Sequence, residues 1–153
     1  MKKLFHFDAP RERYVCDAAI IWCFDNRFEL GFRKFLQRQG VVHWDAIKIA
    51  GGTKCLASPD READREFVIN QIRISMRLHQ TRRVILMLHS DCAAYGGLEA
   101  FDSNTEAERA NHREELRKAT QVLAEAIPGL AVDGYFVDFE GVWTPEAAAQ
   151  AGA

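Results

Sequence analysis

The chain has 153 residues, 48% of them apolar and 27% charged, with a formal net charge of -2. That length suits a single domain, taken as 1–153, with a substantial hydrophobic core. The balanced charge gives no reason to expect nucleic acid or an anionic membrane as partner, and no apolar run approaches the ~20 residues of a bilayer-spanning helix.

The start, MKKLFHFDAPRER, has no apolar stretch of the kind a secretory leader needs, so a cytoplasmic location is expected. In that compartment Cys16, Cys23, Cys55 and Cys92 are thiols or metal ligands, and no CxxC pair occurs. AAIIWCF (18–24) is short, continuous and partly β-branched, which predicts a strand buried on both faces. FELGFRKFLQRQG follows with Phe28, Phe32, Phe35 and Leu36 at helical spacing and Gly40 as the stop.

HWDAIKIAGG (43–52) reads as a second strand entering a glycine turn. Ser58-Pro59-Asp60 predicts a helix start with Pro at the first helical position, the helix running to about His79. Ala63, Phe67, Ile74 and Leu78 are assigned to one face of it, and the charges around 73–83 to solvent. RRVILMLH is a third strand. A long polar helix over about 104–127 follows, carrying Ala107, Ala110, Leu116, Ala119, Leu123 and Ile127 and closed by Pro128-Gly129. LAVDGYFVDFEGVW supplies a last strand or hairpin, and an Ala-rich tail follows Pro145. Alternation of strands and helices predicts an α/β fold, a mostly parallel sheet of about four to five strands flanked by helices.

Ligands of open parallel sheets bind outside the C-terminal strand ends. Cys23 ends the first strand, Gly51-Gly52 the second, and His89 and Cys92 the third. Zinc accepts thiolate and imidazole, and a catalytic zinc keeps one position open for water, so Cys23, His89 and Cys92 suit such an ion. They equally suit two buried thiols and a hydrogen-bonded loop histidine. In Cys23-Phe24-Asp25-Asn26-Arg27, alternation puts 23, 25 and 27 on one side of an extended chain. Asp25 could then ligate a metal or accept from its water, and Arg27 could hold it back by a bidentate ion pair. A plain surface pair is the other reading.

The smaller features divide similarly. Cys16 and Cys55 read as structural thiols, and Asp91 as an acceptor for a loop amide or for Arg27. Gly51-Gly52 reads as a tight turn, Tyr95-Gly96-Gly97 as another, with a pocket role for Tyr95 as the alternative. His43 is assigned to solvent.

Cys-x-Asp-x-Arg at one strand end and His-x-x-Cys at a later one resemble the zinc-site signature of the β-class carbonic anhydrases. HSDCAA, IKIAGG and VDGYFVDFEGVW resemble further segments of that family in the same order. The resemblance spans residues 14–143. It implies zinc on Cys23, His89 and Cys92, an orienting dyad of Asp25 and Arg27, and reversible hydration of carbon dioxide to bicarbonate by a zinc-bound hydroxide. It also implies a homodimer or higher oligomer, with the neighbouring subunit completing the pocket.

The sequence departs from the family pattern in four places. Asn26 stands where the family has Ser, and Ala93 where it has Gly. Ile49-Ala50-Gly51-Gly52 replaces an Asn-Ala-Gly-Asn type of turn, and the stretch before the first strand is short where the family has a helical arm. Those departures bear on the substrate pocket. They keep two alternatives in view: a zinc hydrolase acting on carbonyl sulfide or carbon disulfide, and a non-catalytic zinc-binding protein.

Overall fold

An unbroken apolar run is stable only when covered on both faces, and β1 (Ala18–Cys23) is buried at all six positions. In the computed structural model, which describes residues 1–145, it lies inside a five-stranded sheet. The Ala-rich tail after Pro145 lies outside the described residues. Following β1 come α1 (Glu29–Arg38), β2 (Trp44–Ile49), a short α2 (Lys54–Ala57), α3 (Glu62–His79) and β3 (Arg83–His89). The chain then forms two 3-10 turns, α4 (Thr105–Ala126), β4 (Ala131–Val137) and β5 (Val142–Trp143).

The sheet order is β2-β1-β3-β4-β5. The first four strands are parallel and β5 pairs antiparallel with β4, so the last apolar segment, expected as a strand or a hairpin, is a hairpin. Alternation along each strand then sorts the core into two layers. Ala18, Ile20 and Trp22 join Ile85 and Met87 against Phe28, which caps α1, and Phe32 and Leu36 within it. Ala19 and Ile21 join Val84, Leu86 and Leu88 against α3 and α4. Each large side chain buried this way contributes about 1.5–3 kcal/mol, so the strand positions are strongly specified. Among the described residues, no helix is long and apolar enough to cross a membrane.

Three expectations are corrected. The helix does not begin at Ser58-Pro59: Ser58 closes α2, its hydroxyl is taken by Glu115, and extended Arg61 precedes α3. A residue before proline avoids helical backbone, so the pair separates two helices and does not open one. The buried face of α3 is Val68, Ile69, Ile72 and Ser75, while Phe67 and Leu78 are 58% and 62% exposed. Two apolar stripes compete on this helix, and the β-branched one meets Ile21 and Leu86.

On α4, Ala107 and Ala110 face outward, while Glu108, His112 and Glu115 share the buried stripe with Leu116, Ala119 and Leu123. His43 is exposed, as expected.

Candidate metal centre

From β1 the chain crosses outward to β2, and from β3 it crosses the other way to β4. The gap between the C-terminal ends of β1 and β3 is therefore the switch point where α/β sheets hold ligands. Cys23 is the last residue of β1 and His89 the last of β3. The turn after β3, with Asp91 at φ +56°, swings Cys92 back toward them.

One ligand atom from each of Cys23, His89 and Cys92 lies within 4.8 Å of the others, and all three residues are buried. The structure thus brings the sequence-predicted trio together.

The histidine carries the most informative detail. Its Nδ1 lies 2.8 Å from the Ser90 carbonyl, which can only accept, so Nδ1–H donates. Nε2 is then a bare lone pair, buried and without a hydrogen-bond partner. An orphaned buried nitrogen costs roughly 1–3 kcal/mol, and a cation shared with two sulfurs would remove that cost. Locking the far nitrogen on a carbonyl is also how metal-binding imidazoles are oriented.

The two thiols share one proton. Cys23 is held well below the usual thiol range, first because Cys92 donates to it, with the amides of Asp25 and Gly51 adding. Cys92 is pushed up correspondingly by the Cys23 thiolate and by burial. Soft sulfur with imidazole is the donor set zinc prefers, and the residues present fit that ion.

Asp25 and Arg27 sit at the mouth. Arg27 Nη2 is 2.7 Å from Asp25 Oδ2, its Nε reaches both carboxylate oxygens, and its backbone amide reaches Oδ1. These bonds push the Asp25 carboxyl down to about 2. Asp25 Oδ2 stands 4.0 Å from His89 Nε2. Arg27 also bonds Asp91 through Nη1, and the Asp91 carboxylate accepts the Leu98 amide. Asp91 therefore fills both roles that its position in the sequence allows. Beside the dyad is a cavity of about 280 Å³, with Phe28, Val137 and Phe139 among its walls.

The support beneath this loop is absent from the sequence reading. Glu108 is buried and accepts from Ser90 Oγ and from the Asp91 amide, each at 2.6 Å. His112, held below its usual pKa by burial, donates from Nε2 to the His89 carbonyl at 3.2 Å. Tyr95 does open a turn, yet its ring packs on His112 and its hydroxyl donates to Glu115. The available signal was the i, i+4, i+7 spacing of Glu108, His112 and Glu115 in register with Leu116, Ala119 and Leu123.

Glu108→Gln leaves one acceptor where two donors converge. It should cost about 1–3 kcal/mol in urea denaturation. An unchanged midpoint would mean that Glu108 does not hold the loop.

Comparison with known proteins accords with this geometry. A family model described as "Putative carbonic anhydrase" matches residues 15–147. The chain belongs to this carbonic anhydrase family. An uncharacterized protein of Rickettsia bellii is 27% identical over 126 residues, 80% of this chain and 77% of that one.

Among solved structures, the carbonic anhydrase of Streptococcus mutans aligns with a TM-score of 0.61 at 19% identity, covering 91% of this chain and 87% of its own. A carbon disulfide hydrolase aligns with a TM-score of 0.55 at 15% identity, covering 90% and 83%. At these identities the structural likeness establishes the fold, and the fold is that of the β-class carbonic anhydrases. The chain is a divergent member of its family.

Proposed function

We propose that this chain, as a single domain, catalyses the reversible hydration of carbon dioxide on a zinc ion held by Cys23, His89 and Cys92. The observation that carries this reading is the orphaned Nε2 of His89, set between two cysteines beside an ion-paired carboxylate. Bound zinc supplies a water of lowered pKa, a nucleophile available near neutral pH.

The protein's own groups do the rest. The Ser90 carbonyl fixes the imidazole, and Arg27 fixes Asp25 as an ionised acceptor that orients the attacking water. Phe28, Val137 and Phe139 offer an apolar wall to a small uncharged substrate. One arginine between two carboxylates leaves the mouth net negative, which disfavours retention of an anionic product.

A second reading keeps the site and changes the substrate to carbon disulfide or carbonyl sulfide. The structural likeness to a carbon disulfide hydrolase favours it, together with the apolar wall that Phe28, Val137 and Phe139 give the cavity. A non-catalytic zinc protein is less favoured, because a purely structural ion needs no Asp25–Arg27 pair.

The exposed Phe67 and Leu78 and the edge strand β2 support a homodimer or larger assembly. The four free cysteines accord with a cytoplasmic setting.

Metal analysis of protein purified without added metal tests the site: zinc should be present, and Cys92→Ser should lose the ion that Cys23 and His89 share with it. Stopped-flow hydration of carbon dioxide, run beside sulfide release from carbon disulfide, then separates the two substrates. Wild-type protein that is folded and has no affinity for zinc would end this reading. Light scattering on the same sample reads the assembly, and an active monomer would remove the proposed oligomer.

A further inference from the structure

We propose that Cys16, Asp45 and His79 form a second metal site, for a zinc-class divalent cation, which clamps the segment before β1 to β2 and α3. One ligand atom of each lies within 4.8 Å of the others. They come from three separate elements: Cys16 just before β1, Asp45 near the start of β2, and His79 at the end of α3. All three gather at the N-terminal edge of the parallel strands, opposite the edge that carries Cys23 and His89. Open α/β sheets bind their ligands at the other, carboxyl edge, so a structural role is assigned to this site.

The local framework is built to hold such a set. The Cys16 amide donates to the His79 carbonyl at 3.0 Å, and the Tyr14 ring stacks on the His79 ring at 4.3 Å. Ser75 Oγ donates to Asp45 Oδ2 at 2.6 Å, and Asp17 holds the amides of Val42 and His43. His79 closes an 18-residue helix, whose C-terminal dipole end favours a positive charge. A cavity of about 430 Å³ opens beside the cluster between Tyr14, Trp44 and Gln71, with room for a further ligand such as water.

The donor chemistry points to the cation. The buried Cys16 thiol donates to Asp45, so the same contact that joins carboxylate and imidazole already includes the sulfur, and together they make a sulfur, nitrogen and oxygen set suited to zinc. On binding, the Cys16 thiol proton passes to solvent, and a thiolate with a carboxylate then balances a dication. Asp45 Oδ2 and His79 Nδ1 are 2.8 Å apart, whereas two ligands of one tetrahedral zinc stand roughly 3.3 Å apart. Loading therefore opens this contact by a fraction of an ångström.

The test is stoichiometry of the full chain equilibrated with zinc and then desalted. Two zinc ions per chain are expected for the wild type, one for Cys16→Ser, one for Cys92→Ser and none for the double variant. With cobalt in place of zinc, a thiolate-to-cobalt absorption should persist in Cys92→Ser and vanish when Cys16→Ser is added. A wild type with one ion, lost in Cys92→Ser and kept in Cys16→Ser, overturns this inference and leaves the proposed function standing. One ion lost only in Cys16→Ser does the reverse. Should Cys92→Ser fail to fold, zinc titration of the wild type against Cys16→Ser still decides the question.

Discussion

Arg27→Ala is expected to keep its zinc and its fold while losing carbon dioxide hydration by about 100-fold or more. Arg27 is 46% exposed at its side chain, so deleting its ion pairs should cost no more than about 1 kcal/mol of stability. Its effect on Asp25 is much larger. The guanidinium fork and the Arg27 amide together hold both carboxylate oxygens. Without the fork, Asp25 keeps only the backbone contact, and its Oδ2 already stands 4.0 Å from His89 Nε2.

A carboxylate freed that close to the nitrogen that would ligate the zinc is drawn to the ion. Cys23, His89, Cys92 and Asp25 would then make a closed four-ligand set with no place for water. Arg27→Lys should rescue poorly, because an ammonium cannot span Asp25 and Asp91 as the fork does. Stopped-flow turnover paired with metal analysis on the same samples reads both halves of the expectation. Full turnover in Arg27→Ala would remove Asp25 and Arg27 from the mechanism. Loss of metal together with turnover would make them structural supports.

What the sequence discloses follows from how local each feature is. The runs 18–24 and 82–89 announce buried strands, because both faces of a central parallel strand must be covered. Cys23, His89 and Cys92 are legible because topology alone carries strand ends to one edge. The faces of α3 and α4 are less legible, for different reasons. On α3 the apolar residues form two stripes, and only contact with the sheet selects Val68, Ile69 and Ile72 over Phe67 and Leu78. On α4 the core-facing stripe is partly charged, and a buried glutamate resembles a solvated one until its partners are known. Ser90 and the Asp91 amide supply them for Glu108. Cys16, Asp45 and His79 come from three elements with no motif spacing, so nothing in the sequence joins them.

Gly52→Ala is expected to be the most damaging single methyl addition at this edge, costing about 3–5 kcal/mol and releasing the metal. Gly52 has φ +53°, and a Cβ built there meets the Cys23 nitrogen at 2.7 Å, the Trp22 carbonyl carbon at 2.8 Å and the Met87 oxygen at 3.0 Å. All three are backbone atoms of β1 and β3, the strands that deliver Cys23 and His89. No rotamer change relieves such a contact, so the strands must part or the turn must leave. The turn is itself pinned, since Thr53 Oγ1 donates to the Met87 carbonyl at 3.1 Å and the Gly52 amide to Ile49.

Gly129→Ala isolates the backbone term: its φ is +83°, and its Cβ would meet nothing within 4 Å. That variant should lose only about 1–2 kcal/mol, the cost of a left-handed residue with a side chain. The difference between the two in urea denaturation measures the steric part alone. Equal losses would mean that the turn yields without disturbing β1 and β3, and Gly52 would then not be what keeps Cys23 and His89 in register.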